Sequence, residues 1–220
     1  AAEQAGGRLV CLGSRFDDRD GGQRARLFAL LKQSGAQPVA SSDKVPGLMG
    51  REAMRFVSGG LNVYAITRNF ARSDDAEEQS FTFDGRGHLY DLREGRYLGE
   101  TNRVTRAIPN AGTAVFGLYP YRVTGLDLIL PDSVKGGTDL VADLAVATSG
   151  GAAGYHVFHV AVEPPEGEAR WFMKRNLAAP DGRVRFVFRL AENDPKGTWT
   201  LRARDVLTGA TVSKPFNVTP

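Results

Sequence analysis

The chain has 220 residues, of which 42% are hydrophobic and 24% charged, a composition typical of a folded globular protein large enough for two small domains. Its 28 basic and 25 acidic residues leave a formal charge of only +3, so the basic pI reflects a small imbalance and we expect no nucleic-acid partner. No segment approaches the roughly 18 consecutive apolar residues of a membrane helix, and we expect no membrane insertion.

The first part of the chain, residues 1–48, differs from the rest because it combines one strand with one helix. Residues 8–12 have a strand pattern, and Cys11 within them, as the single cysteine, can form no internal disulfide. Residues 23–34 predict an amphipathic helix with Gly35 placed to cap its end. One strand and one helix cannot bury both of their apolar faces alone. We therefore expect this segment to pack on another chain or on a missing upstream part of the same protein.

Three carboxylates, Asp17, Asp18 and Asp20, precede the predicted helix. Hard cations such as calcium seek several close oxygen ligands, which makes this cluster a candidate metal site. The spacing of an EF-hand is broken, because Arg19 interrupts the oxygen ligands and Ala29 stands where the loop requires Glu. Acidic residues also stabilise the positive end of a helix dipole. We favour that role over metal binding, and we expect no cofactor.

From residue 50 onward the pattern is wholly that of short strands and turns. Residues 52–57 and 61–69 predict one hairpin, and residues 80–83 and 88–92 predict a second. Two further strands, at residues 103–108 and 113–119, complete a small antiparallel sandwich predicted over residues 49–123. Pro120 limits ladder hydrogen bonding at its end, and the aromatic residues around this proline are expected to pack between two domains.

Residues 124–220 have about seven predicted strands separated by turns, the number typical of an immunoglobulin-like sandwich. These strands lie at residues 126–130, 139–148, 155–163, 169–176, 183–190, 198–205 and 210–218. Alternation places Trp199 in the core and Thr200 and Arg202 outside. The predicted core neighbours of Trp199 are Leu201, Ala203, Val184, Phe186 and Phe188. The sequence thus predicts a mainly β fold, with two antiparallel β-sandwich domains after a short strand-helix α/β segment.

Few residues point to a binding site. His156 and His159 lie three apart on a predicted strand, so their side chains point to opposite faces and cannot jointly bind a metal. Trp171 and Phe172 are adjacent on a predicted strand, so one of them must face away from the core. An exposed aromatic ring can stack on a sugar, and Trp171 with Tyr155 is the candidate carbohydrate-binding pair. Packing of such a ring against a neighbouring loop is the commoner alternative.

No pattern of a known reaction centre is present. Glycosidases need two carboxylates a fixed distance apart, and no pair can be singled out among the acidic residues of turns and loops. The Gly-x-Ser-x-Gly motif, the phosphate-binding loop and the dinucleotide fingerprint are missing from the sequence. We name no catalytic residue and favour a chain that is not an enzyme on its own.

Three segments in the first half are informative together: residues 24–38, YAITRN at 64–69 and LYDLREGRYLG at 89–99. They resemble the tail of large bacterial beta-galactosidase-like proteins, in which an amidotransferase-like trimerisation domain ends in a helix and is followed by a small β-sandwich. GTWTL at 197–201 and DVLTG at 205–209 are similar to the Ig-like and macroglobulin-type sandwich domains of secreted bacterial proteins. The catalytic barrel of a beta-galactosidase has no counterpart here.

This resemblance implies a non-catalytic accessory or assembly portion of a larger carbohydrate-related protein or complex. It favours an extracellular or periplasmic location. A carbohydrate-binding module and a structural or adhesion protein with Ig-like domains are the two alternatives. The implied partners are another chain or the missing upstream part of the same protein, with polysaccharide as a further candidate.

Overall fold

The computed structural model describes residues 2–4, 7–9, 20–43, 51–68 and 77–220. Within these residues the fold is mainly β, with eighteen strands and one α-helix, which confirms the predicted fold class. No helix in the described part of the chain is long and apolar enough to cross a membrane.

Two short strands and a helix come first in the chain. β1 (Ala2–Gln4) and β2 (Gly7–Leu9) pair in antiparallel fashion. The helix α1 (Gly21–Gln33) begins after Asp20, whose Oδ1 accepts hydrogen bonds from two backbone N–H groups of the first turn, at 2.8 and 3.3 Å. Gly35, at φ +86°, lies just past the end of the helix, as predicted. No residue of α1 is buried, so its apolar side has no cover among the described residues.

The first sandwich consists of eight strands in two antiparallel sheets. They are β3 (Ala40–Ser42), β4 (Arg51–Ser58), β5 (Leu61–Arg68), β6 (Glu77–Phe83), β7 (His88–Asp91), β8 (Arg96–Glu100), β9 (Arg103–Ile108) and β10 (Thr113–Tyr119). The larger sheet has the order β4-β5-β10-β7-β8 and the smaller one the order β3-β6-β9. β3 lies in the segment of residues 1–48 that the sequence sets apart, yet it pairs with β6. The exact domain limits remain a prediction.

One of the two predicted hairpins is confirmed. β4 and β5 pair across the turn at residues 59–60. The other is wrong, because β6 and β7 belong to different sheets. Phe83 of β6 and Leu89 of β7 enter the same core from its two sides, so residues 84–87 connect the sheets instead of closing a hairpin. The turn residues are of the same types in both kinds of connection, and the sequence pattern does not distinguish them.

The second sandwich contains the remaining strands. They are β11 (Arg122–Ile129), β12 (Ser133–Lys135), β13 (Asp139–Ser149), β14 (His156–Glu163), β15 (Lys174–Ala179), β16 (Arg183–Arg189), β17 (Gly197–Asp205) and β18 (Thr211–Thr219). One sheet has the order β11-β13-β16 and the other the order β12-β18-β17-β14-β15. β12 pairs with β18 in parallel, and the other pairs of this sandwich are antiparallel.

Trp199 is at the centre of the second sandwich. Its side chain is fully buried, and its Nε1 donates a hydrogen bond to the carbonyl oxygen of Pro195 at 2.9 Å. Four predicted neighbours, Leu201, Ala203, Phe186 and Phe188, are also buried. Arg202 is exposed, so the predicted strand register is confirmed. Val184, predicted in the core, is only half-buried and packs at the edge of that core.

Candidate functional site

The two sandwiches meet at a set of buried residues that we call the junction cluster: Leu61, Tyr90, Tyr119 and Tyr121. Only Pro120 and Tyr121 separate β10 from β11, so the chain itself brings two tyrosines to the place where the sandwiches touch. The ring centroids are 5.2 Å apart for Tyr90 and Tyr119 and 6.0 Å apart for Tyr119 and Tyr121. These distances suit aromatic contact, and each of the four side chains is at most 3% exposed.

The three hydroxyl groups of the junction cluster differ in their partners. The hydroxyl of Tyr90 accepts a hydrogen bond from the backbone N–H of Val123 at 2.8 Å, across the two sandwiches. The hydroxyl of Tyr121 accepts one from the N–H of Gly154 at 2.8 Å and pairs with Nε2 of His156 at 2.9 Å. The hydroxyl of Tyr119 is buried and has no hydrogen-bond partner within the described residues. The hydrogen bonds of Tyr90 and Tyr121 therefore orient the groups at the junction, in addition to the stabilisation that comes from burial of apolar surface.

His156 and Asp205 continue this network into the second sandwich, and both side chains are 0% exposed. Nδ1 of His156 lies 3.1 Å from Oδ2 of Asp205, in a close contact that lacks hydrogen-bond alignment within the described part of the chain. Asp205 accepts hydrogen bonds from the hydroxyl of Thr208 and from its N–H at 3.2 Å. Asp205 therefore fixes the turn after β17, and the same carboxyl group faces the histidine ring.

Burial raises the pKa of each phenol in the junction cluster. For Tyr119 and Tyr121, Asp205 adds to the effect of burial. For Tyr90, burial is again the main cause, and the hydrogen bond from Val123 opposes it. A tyrosine whose pKa is raised stays neutral at physiological pH. These phenols therefore do not act as bases at physiological pH, and those of Tyr90 and Tyr121 serve as hydrogen-bonding groups.

The succession of Tyr121, His156 and Asp205 has the composition of an acid–base relay. A relay needs one group that reaches a substrate, but these three side chains are only 0–1% exposed. The arrangement is therefore a buried polar network that holds the junction in one geometry. Alternation along β14 predicts that His156 and His159 face opposite sides, but the pairing with Asp205 joins residues far apart in sequence and has no local signal.

Two close backbone contacts flank the junction cluster. A Cβ built on Gly209 would lie 2.5 Å from the carbonyl oxygen of Gly95, and both glycines have positive φ. A Cβ built on Gly154 would lie 2.8 Å from the carbonyl oxygen of Gly59. Real Cβ atoms do not occupy such distances without displacement of a neighbour, so the sandwiches approach more closely than side chains would permit.

The two predicted carbohydrate-binding residues lie in different surroundings. Tyr155 is half-buried and packs against the junction cluster. Trp171 is 85% exposed and stands 90° to the ring of Phe172, with 5.8 Å between centroids. The predicted strand at residues 169–176 is wrong for this pair, because residues 171–173 form a 3₁₀ turn ahead of β15. The turn buries the side chain of Met173 and leaves the side chain of Trp171 exposed to solvent.

The candidate metal residues are only partly within the described chain. Asp17 and Asp18 lie outside the described residues, as does Cys11. Asp20 caps α1, and hydrogen bonds from the backbone of Gly22 and Gln23 lower its pKa. No group of three or more metal-ligating side chains occurs in the part of the chain that the structure describes. The geometry at Asp20 is that of a helix cap.

Two shallow grooves lie on the outer faces of the second sandwich. The mixed groove, on the sheet β11-β13-β16, has a volume of about 490 Å³ and is lined by three aspartates and two arginines, Asp127, Asp143, Asp181, Arg183 and Arg185. The basic groove, on the sheet that contains β14, β17 and β18, has a volume of about 390 Å³. Its charged and polar lining residues are His159, Arg202, Arg204, Thr211 and Ser213.

The mixed groove is where several carboxyl groups come together. Asp143 accepts two hydrogen bonds from Arg185, at 2.8 and 3.1 Å, and these lower the pKa of the carboxyl group. Asp143 is therefore ionised at neutral pH. The general acid of a glycosidase needs the opposite, a carboxyl group whose pKa is raised. Asp143 is thus a surface ion-pair partner and is unsuited to that role.

No protein-family model and no curated protein matches the sequence. Among solved structures, the CARDB domain of a Pyrococcus furiosus protein, in complex with di-metal ions, aligns with 43% of this chain and 90% of its own at 13% identity and TM-score 0.33. A beta-glucosidase from Listeria innocua aligns with 56% of this chain at 15% identity and TM-score 0.32, and a putative beta-galactosidase from Bacteroides fragilis with 73% at 13% and 0.27.

The aligned regions span only 18% and 33% of those two glycosidase chains. These are weak neighbours with low identity and partial coverage, and they assign the chain to no family.

Proposed function

We propose that this chain is a non-catalytic accessory portion of a larger carbohydrate-related protein or complex, with a role in assembly and spacing. The observation that supports this most directly is the junction cluster. A spacer must keep a fixed geometry, and buried tyrosines, hydrogen bonds and two close glycine contacts hold the sandwiches together. The carbohydrate context comes from the resemblance of residues 24–38, 64–69 and 89–99 to the tail of beta-galactosidase-like proteins.

Helix α1 is the feature that calls for a partner. Phe28 is 66% exposed and Leu31 is 43% exposed, although both are large apolar side chains. An isolated helix of 13 residues is marginal in water, so packing normally stabilises a helix of this length. In this proposal the packing comes from another chain or from another part of the same protein.

The test is an assembly measurement on the full chain with the proteins encoded beside it. Size-exclusion chromatography with light scattering is expected to show a complex that the variant Phe28→Ser/Leu31→Ser weakens by about tenfold or more. Arg26→Ser/Gln33→Ser is the matched control, because it places the same residue type on the side of α1 opposite Phe28 and Leu31. A stable monomer without affinity for any of these proteins would contradict the assembly role, and turnover of aryl glycosides by the pure chain would contradict the non-catalytic role.

A second candidate, a carbohydrate-binding module, is favoured by one observation. Trp171 is 85% exposed next to Phe172, an arrangement that leaves a flat apolar surface available to a sugar ring. Binding on a glycan array should be lost in Trp171→Ala while the melting temperature stays unchanged. The absence of binding to plant, algal and bacterial polysaccharides would remove this candidate.

A further inference from the structure

The basic groove crosses three neighbouring strands of the second sandwich. Strand pairing puts His159, Arg204 and Thr211 side by side in one row. The next row consists of Ala161, Arg202 and Ser213. Each arginine therefore has a short side chain beside it, and this alternation of long and short side chains produces the concave surface.

The charge of the basic groove is unbalanced. None of its lining residues has a carboxyl group. Nε of Arg202 donates to Oε2 of Glu163 at 2.7 Å, while Arg204 forms no ion pair with any described residue. A Cβ built on Gly95 would lie 3.3 Å from Nη2 of Arg204, so this guanidinium rests against a turn of the first sandwich. The mixed groove differs, because the aspartates there compensate the arginines.

The hydrogen-bonding groups of the basic groove suit an oxygen-rich anion. A guanidinium binds planar carboxylate or sulfate oxygens with two parallel N–H donors. Thr211 and Ser213 add hydroxyl groups that both donate and accept. Nδ1 of His159 lies 2.9 Å from the amide oxygen of Asn176, and because that oxygen only accepts, Nδ1 is the donor. Nε2, the other nitrogen of the same ring, is the second atom of His159 that can form a hydrogen bond.

We propose that the basic groove binds the acidic groups, carboxylate or sulfate, of an anionic polysaccharide. The polymer class rests on the proposed carbohydrate-related function, while the anion preference rests on the arginines and hydroxyl groups that line the groove. Nucleic acid is a poorer match, because the chain has a net charge of only +3 and duplex binding draws on many cationic contacts. The open groove suits a chain that lies along the sheet surface and presents one or two charged units.

The experiment measures binding of the full chain to polygalacturonate, as the carboxylate probe, and to dextran sulfate, as the sulfate probe, at about 0.15 M salt. Neutral dextran is the uncharged reference. The variant Arg202→Gln/Arg204→Gln is expected to bind about tenfold or more weakly, since each arginine supplies charge-assisted hydrogen bonds. Arg185→Gln/Arg189→Gln removes the same charge from the opposite sheet and is expected to stay within about twofold of the parent.

Binding of either acidic probe with the expected loss supports the proposal, and the preferred probe identifies the acidic group. Equal loss in the control variant would overturn it, as would equal binding of neutral dextran, duplex DNA or anionic vesicles, or no binding of either acidic probe. Arg204→Gln alone serves if the double variant is unstable. If the chain assembles with no partner but still binds an acidic probe in the basic groove, the proposed function is refuted and the groove proposal is supported. If the chain assembles with a partner but binds neither acidic probe, only the groove proposal is refuted.

Discussion

The interior and the exposed apolar surface of this chain contain the same kinds of residue in opposite environments. Of its two tryptophans, Trp199 is 0% exposed and Trp171 is 85% exposed. The junction tyrosines are equally buried, whereas Phe28 of α1 is 66% exposed. The buried residues stabilise the fold, while the exposed residues contribute little to stability within the chain. The comparison therefore separates residues that maintain structure from residues that are free to bind.

Substitution of the two tryptophans tests this separation with the largest expected effect. Trp199→Ala should cost about 3 to 5 kcal/mol and unfold or severely destabilise the second sandwich, because it empties a fully buried site. Trp171→Ala should change the free energy of unfolding by less than about 0.5 kcal/mol. Urea denaturation followed by circular dichroism measures both. Matching curves for the two variants would show that the assigned strand register is wrong.

The second-largest effect is expected from alkaline pH, which should unfold the chain because several buried phenols must ionise. The pKa values of Tyr90, Tyr119 and Tyr121 are raised by burial, and that of Tyr64 is raised to about 12 by burial and by its hydrogen bond to Asp84. A raised folded-state pKa gives stability that is complete below the unfolded value of about 10 and is lost as pH rises through the folded values.

Absorbance at 295 nm reports phenolate, and circular dichroism reports structure. We expect much of the phenolate signal to appear together with unfolding above about pH 10. Full ionisation near pH 10 with the β signal intact would contradict the burial of these side chains.

Two glycines with positive φ distinguish the close packing of the junction from the open surface. Gly209→Ala should cost about 2 to 4 kcal/mol, because a methyl group would collide with the backbone of Gly95 in addition to the strain of the left-handed conformation. Gly150→Ala is the matched control, since Gly150 has φ +86° and nothing within 4 Å of its added Cβ. Thermal unfolding of both variants gives the difference. Equal costs would mean that strain alone, and not close packing at the junction, determines the result.

Two tyrosines of the junction cluster permit a finer test. Tyr121→Phe should cost about 1 to 3 kcal/mol, because it leaves the N–H of Gly154 and Nε2 of His156 without their hydroxyl partner. Tyr119→Phe should be neutral or slightly stabilising, since its hydroxyl has no partner among the described residues. Chemical denaturation of the two variants decides this, and an equal loss in both would contradict the assigned network.

The smallest effect is expected at α1. Asp20→Ala removes the side chain that caps the helix, which typically costs the helix about 1 kcal/mol. Since no residue of α1 is buried, the melting temperature of the sandwiches should not change, and only the helical signal at 222 nm should fall. Asp20→Asn keeps a capping oxygen and should preserve that signal. A drop in melting temperature for Asp20→Ala would show that the helix supports the sandwiches.

The sequence predicts features that depend on local patterns. Alternation along β17 identifies Trp199 as a core residue, and Gly35 marks the end of α1. Alternation does not indicate which sheet a strand joins. The pattern therefore predicts one hairpin for β6 and β7, although the two strands lie in different sheets. At residues 171–173 the apolar run is compatible with strand and turn alike, and burial of Met173 decides between them.

The junction network lies beyond such patterns for a physical reason. Tyr90, Tyr121, His156 and Asp205 come from four separate stretches of the chain, and their contacts exist only after both sandwiches have formed. The basic groove has the same origin, because Arg204 and Thr211 become neighbours through strand pairing. A single strand with alternating arginines predicts a solvated face, and only the sheet shows that Arg202 pairs with Glu163 while Arg204 has no carboxylate partner among the described residues.

The connection between β10 and β11 has a consequence for avidity. It consists of Pro120 and Tyr121 alone, and the proline ring fixes one of the few backbone torsions available. A flexible tether lets a bound ligand sample a large volume and dilutes it relative to a second site. Here the tether has almost no slack, so anything held on one sandwich stays at a constant distance from the other. The effective concentration between two such sites is therefore set by the fold itself, and geometry alone decides whether both can be occupied at once.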